Sequence, residues 1–140
     1  MIIVDTNVIS EAVRGDRNPA VVSWLDAQVV ETLYLTAINL AELRLGIAIL
    51  PTGKRKESLQ ADIDALVIEF FGLRILPFEK EAAIAYGNLV SAARLAGSSV
   101  SVSDGQIAAI ASVHKFAVAT RDTSPFVALG VAVINPWSKG

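Results

Sequence analysis

The sequence predicts an α/β fold, a central parallel sheet with helices on both faces. Three observations point to it. Short, uninterrupted apolar runs recur along the chain, as buried parallel strands do. Between them lie segments with apolar residues at three- and four-residue steps, the helical period. The two patterns alternate through the chain, the order expected of a parallel-sheet α/β protein.

Taken in order, Ile2–Val4 is the first strand, and a helical turn or two follows through about Ala12. Gly15 to Pro19 reads as loop, with Asn18 as cap and Pro19 in the first turn of the next helix. That helix is expected to carry Val22, Leu25 and Val29 on one face, with Trp24 beside them. Leu33–Leu35 is the second strand. From Ile38 to about Leu50 the stripe Leu40, Leu43, Ile47 and Leu50 is helical. Pro51-Thr52-Gly53 stops it, and a helix from about Lys54 to Phe70 completes an αα hairpin. Arg74–Leu76 is a strand, and Glu79 to Ala96 a helix ended by Gly97. Ser103 and Gln106 form a capping-box pattern for a helix reaching about His114, which puts Asp104 in its first turn. Phe116–Ala119 and Val131–Ile134 are the last strands. No repeat, low-complexity tract or linker divides the 140 residues, which suit one domain.

Hydrophobic residues make up 53% and charged residues 19% of the chain, against about 45–50% and about 25% in an average soluble domain. The surplus suggests apolar surface that covers a lasting partner or a second copy as well as a core. A net charge of −2 gives no global basic field for nucleic acid, although a local basic rim would serve. Without cysteine there is no disulfide, thiolate nucleophile or Cys-ligated metal. Neither a signal peptide nor an apolar run of membrane-spanning length is evident, so the chain reads as cytoplasmic, with no membrane partner.

Of the fourteen acidic residues, four stand out. Asp5 ends the first strand, and Asp122 follows the run Phe116 to Thr120. Asp104 opens a helix, and Glu42 lies one turn into the helix after the second strand. Each falls near a strand end or a strand-to-helix connection, where open α/β sheets place their sites. Individually they have plain explanations: Asp5 and Asp104 as helix caps or first-turn charges, Asp122 as a turn residue, Glu42 as a solvent-facing one. Together at one sheet edge they would repel each other and raise one another's pKa unless a cation joined them. An oxygen-only set suits Mg²⁺ or Mn²⁺ better than zinc. A bound Mg²⁺ leaves room for a phosphate and lowers the pKa of a water that can attack phosphorus.

These residues carry a resemblance. Asp5-Thr6-Asn7 after an apolar strand, Asn39 to Gly46 around Ala41-Glu42-Leu43, Ser103 to Ala109, and Thr120-Arg121-Asp122 resemble the successive motifs of PIN-domain proteins. Leu40 to Gly46, Ala119 to Thr123 and Asn135-Pro136-Trp137 are similar to the VapC/FitB group, toxins of type II toxin–antitoxin pairs. The resemblance implies a PIN-like three-layer α/β/α sandwich and an Mg²⁺-dependent (or Mn²⁺-dependent) endoribonuclease acting on RNA. It also implies a homodimer, and a small DNA-binding antitoxin of VapB/FitA type that occludes the site, forms a higher assembly and reaches operator DNA. Residue by residue, Asp5, Glu42 and Asp104 correspond to the family's metal-binding acids and Asp122 to its more variable fourth acid. Thr6 and Asn7 match the small polar residues beside the first acid, and Thr120 the supporting Ser/Thr.

His114, the single histidine, would lie about 15 Å along its helix from Asp104, too far to join it. Lys54-Arg55-Lys56 reads as a solvated basic face or an RNA contact. Arg44 points away from Glu42 along their helix. Arg121 would pair with a carboxylate, touch a phosphate or face water, and Trp24 and Trp137 read as packing residues. Two rival functions stand beside the nuclease. One is a catalytically weak PIN-fold binding module acting with an antitoxin-like DNA-binding partner. The other is a different phosphoryl-transfer enzyme, but a haloacid-dehalogenase-like phosphatase would want Asp where Asn7 stands.

Overall fold

The computed structural model describes residues 1–138. Five strands form one all-parallel sheet in the order β3-β2-β1-β4-β5: β1 Ile2–Val4, β2 Leu33–Thr36, β3 Ile75–Leu76, β4 Ala117–Ala119 and β5 Val133–Ile134. β1 lies at the centre, with Ile3 paired to Tyr34 of β2 and to Val118 of β4. The chain leaves β1 toward β2 and β3, then crosses back to lay down β4 on the other side. That reversal opens a crevice beyond the carboxyl ends of β1 and β4.

Seven helices cover the two faces: α1 Thr6–Ala12, α2 Pro19–Asp26, α3 Ala37–Ala48, α4 Lys54–Ala65, α5 Lys80–Leu95, α6 Val102–His114 and α7 Thr123–Ala128. Strand side chains alternate between faces, and the core divides accordingly. Ile3 and Val118 join Ile107, Ile110 and Phe126 on the α5–α7 side. Val4, Leu33 and Leu35 join Val8, Leu43, Ile63 and Phe71 on the α1–α4 side. The result is the expected three-layer sandwich. α6 packs unusually close to α5: a Cβ on Gly105 would lie 2.7 Å from Tyr86 Cε2 and 2.9 Å from Val90 Cγ2. A methyl there would force the Tyr86 ring or Val90 to shift.

Several boundaries differ from expectation. α2 ends at Asp26, so Val29 lies outside it and is exposed, and Val21 is the residue that α2 buries. α3 ends at Ala48, which leaves Leu50 beyond it. The last turns of the Lys54–Phe70 helix widen into a π-helical segment, Leu66–Phe71. α6 begins at Val102 with Ser101 as its cap, not Ser103: Asp104 N donates to Ser101 Oγ at 3.1 Å. The short α7 after Asp122 is an addition. Among the described residues no helix is long and apolar enough to cross a membrane.

Candidate functional site

Asp5 is the residue at which β1 gives way to α1. It is 6% exposed, and the extended backbone there makes it the cap of α1. Its Oδ1 accepts from Thr6 N at 2.8 Å and from Asn39 Nδ2 at 3.1 Å. Its Oδ2 accepts from Thr120 Oγ1 at 2.7 Å. A buried carboxylate needs such partners, and here they come from α1, α3 and the end of β4.

Asn39 and Thr120 organise the surroundings. Both are fully buried. Asn39 sits in a capping box with Thr36: Thr36 Oγ1 donates to Asn39 Oδ1 at 2.6 Å and accepts from Asn39 N at 3.1 Å. With its oxygen so engaged, the Asn39 amide donates to Asp5 and also to Thr6 Oγ1 at 3.1 Å. Thr6 Oγ1 in turn donates to Glu42 Oε1 at 2.8 Å. One amide therefore orients two acids, Asp5 directly and Glu42 through a hydroxyl. On the opposite side, Thr120 Oγ1 accepts from Asn7 Nδ2 at 3.2 Å and from Asp122 N at 3.1 Å. Asn7 Oδ1 accepts from Arg121 N at 3.2 Å. Among the described residues no buried side-chain polar atom is left without a partner.

All four predicted acids, Asp5, Glu42, Asp104 and Asp122, line one cavity of about 410 Å³, together with Thr6, Asn7, Ser10, Glu11, Arg121 and Trp137. Thr120 lies behind the wall, bonded to Asp5. Burial pushes the Asp5 carboxyl above the usual aspartate range, and the nearby Glu42 charge adds to this, against its hydrogen bonds. The Asp104 carboxyl is also raised, first by burial and then by the charges of Asp5 and Asp122. The acids thus sense one another across the cavity. Yet among the described residues no group of three acids converges tightly enough to cage an ion by direct bonds alone. The donor set is all oxygen, which fits a small hard cation that keeps part of its water shell.

Sequence reasoning missed four residues here. Asn39 is a polar residue in an apolar helix stripe, and its role depends on residues 33 and 34 positions away. Glu11, 7% exposed, accepts from Asn18 N at 3.0 Å and adds a fifth carboxylate to the cavity wall. Ser10 lines the cavity too, and Trp137 proves to be more than packing, since the Arg121 guanidinium lies over its ring at 5.2 Å. The residues set aside stay apart: Arg44 pairs with Asp64 of α4 at 2.6 Å, and His114 stacks near Phe116. Arg55 lines a neighbouring apolar groove of about 380 Å³ that meets the acidic cavity at Thr6, Ser10 and Glu42.

Comparison with known proteins gives consistent matches. A sequence profile of the PIN domain matches residues 2–130. Over 137 residues the chain is 48% identical to "VapC ribonuclease Y4jK" of Sinorhizobium fredii, spanning 98% of both chains. It is 47% identical to "Toxin FitB" of Neisseria gonorrhoeae, over 98% of this chain and 99% of the other. The crystal structure of FitAcB from Neisseria gonorrhoeae superposes with a TM-score of 0.93 at 47% identity, over 98% of this chain and 99% of that one. The structure of FitAB bound to an IR36 DNA fragment gives 0.95 at 46% identity, over 100% and 98%.

Proposed function

Because the chain belongs to the PIN-domain family, and within it to the VapC/FitB toxins, we propose that it is a metal-dependent endoribonuclease, the toxin of a type II toxin–antitoxin pair. The observation that carries this reading is the single cavity into which four distant segments of chain each deliver a carboxylate. Asp5, Glu42, Asp104 and Asp122 would hold Mg²⁺ or Mn²⁺, partly through water. When bound, such an ion supplies a lowered water pKa and charge neutralisation at the scissile phosphate.

The chain's own residues set the geometry for that chemistry. Asp5 is held rigid by three donors on two oxygens. Glu42 has one oxygen fixed by Thr6, and its other oxygen makes no hydrogen bond among the described residues. That oxygen suits taking a proton from an attacking water. Asp104 rides on the first turn of α6, where the helix dipole favours a negative charge. Asp122, exposed at the rim, suits a weaker ligand or a hold on metal-bound water. An extended single strand is the substrate form this reading favours, since unpaired RNA is the form in which bases are most accessible.

A small DNA-binding antitoxin and a second copy of this chain are the proposed partners, with operator DNA reached through the antitoxin. The FitAB and FitAcB complexes among the structural matches support this. So does exposed aliphatic surface on the helical hairpin side, where Ile49 and Ile68 are each 74% exposed. The test is cleavage of total RNA by antitoxin-free protein with Mg²⁺ or Mn²⁺. Cleavage that Asp104→Ala abolishes is expected. Full-length RNA under both proteins would overturn the reading in favour of a binding module.

A further inference from the structure

We propose that Arg121, braced by Trp137, is the anchor for a substrate phosphate next to the one cleaved. The inference rests on the ribonuclease reading above and assigns the part of the site that grips the RNA chain.

The acidic cavity is lined by five carboxylates, those of Asp5, Glu11, Glu42, Asp104 and Asp122, and by one cation, Arg121. A flexible arginine among so many acids is expected to pair with one of them. Arg121 does not: among the described residues the ion pairs are Arg14 with Glu11 and Arg44 with Asp64. Its guanidinium instead lies 5.2 Å above the Trp137 ring, a cation–π contact.

Both halves of the pair are tied in place. Arg121 N donates to Asn7 Oδ1 at 3.2 Å, which links its backbone to the residue after Thr6. Trp137 N donates to Asn135 Oδ1 at 2.9 Å, and the indole packs on the α1–α4 core. The charge is thus presented at the cavity mouth, not neutralised inside it. A planar guanidinium with several donors matches a phosphate in two-point contact, and its face also accepts a stacked base. A polyanion approaching five carboxylates needs such an offset, because the net charge of −2 supplies no general attraction.

The experiment measures binding of a mixed-sequence single-stranded RNA by fluorescence anisotropy across a salt series, with Mg²⁺. It uses the full chain carrying Asp104→Asn to stop turnover. Adding Arg121→Gln should weaken binding about tenfold and lower the slope of log affinity against log salt by about 0.7, the value of one phosphate contact on a single strand. Arg121→Lys should keep the slope and lose part of the affinity. Trp137→Ala should weaken binding, and Trp137→Phe should retain it. A merely structural role for Arg121 would not move the slope. Unchanged affinity and slope in Arg121→Gln would overturn the inference, as would an equal loss toward an oligoglutamate of similar length, which would mark a general anion site. If the chain without Asp104→Asn cuts RNA and Arg121→Gln binds as its parent does, only this inference fails. If that chain neither binds nor cuts RNA, the ribonuclease reading fails first.

Discussion

Thr120→Val removes a hydroxyl and changes little else in shape. That fully buried hydroxyl donates to Asp5 Oδ2 at 2.7 Å and accepts from Asn7 Nδ2 and Asp122 N. Hydrogen bonds to charged groups contribute about 1.5–3 kcal/mol. Valine fills the same volume, so no cavity cost is added, and Asp122 is exposed enough for its N–H to find water. A loss of about 2 kcal/mol is expected. At about 2.1 cal/mol/K of melting entropy per residue, the 140-residue chain would melt about 7 °C lower. The pH dependence tests the cause. Burial raises the Asp5 carboxyl and the Thr120 bond pulls it back, so the variant's carboxyl should rise further. A raised carboxyl adds stability below its unfolded pKa and loses it as pH climbs through the folded value. The gap between wild type and variant is therefore widest above both folded values and closes as pH falls through them, a range that lies above the usual aspartate value. Urea denaturation in EDTA across that range measures it. A gap under about 0.5 kcal/mol at neutral pH, or one that does not vary with pH, would refute the assignment of this bond to ionised Asp5.

Three further outcomes are expected. Asp104→Asn should raise the melting temperature of the metal-free protein at neutral pH, because burial and the charges of Asp5 and Asp122 lift the Asp104 carboxyl. By the same sign the gain should vanish in acid, and a loss at neutral pH would contradict it. Gly105→Ala drives a methyl against the Tyr86 ring and Val90 and should cost about 1–3 kcal/mol by denaturation. Tyr86→Leu should recover part of that loss. Mg²⁺ at about a hundred times its dissociation constant should stabilise the wild type by about 2.7 kcal/mol in a thermal shift assay. Asp5→Ala should show no such gain.

The strands were legible because buried parallel strands are apolar on both faces and leave no competing period in the sequence. Three of the acids were legible by position, since Asp5 and Asp122 follow strands and Asp104 opens a helix, whereas Glu42, a turn into α3, gained weight only beside the other three. The boundary of α6 was not. Ser103 with Gln106 and Ser101 with Asp104 are both cap patterns, and packing of Gly105 against α5 goes with the earlier one. The π-helical segment at Leu66–Phe71 has no residue signature, because it keeps the apolar spacing of an α-helix while the hydrogen bonding shifts. Val29 misled because nothing local marks the end of α2 at Asp26. Asn39 and Trp137 were invisible for a deeper reason. Their roles are contacts across the fold, with Asp5 and Thr6 for one and Arg121 for the other.

The central position of β1 has a consequence for the order of assembly. Its partner β4 pairs Ile2 with Ala117, so β1 must wait for a neighbour that is synthesised long after it. At about 5–20 residues per second, that wait is on the order of ten seconds. Until then Asp5 lacks Thr120 and the cavity lacks Asp104 and Asp122. A nascent chain therefore carries no assembled acid site until α6, β4 and the residues just after it have emerged.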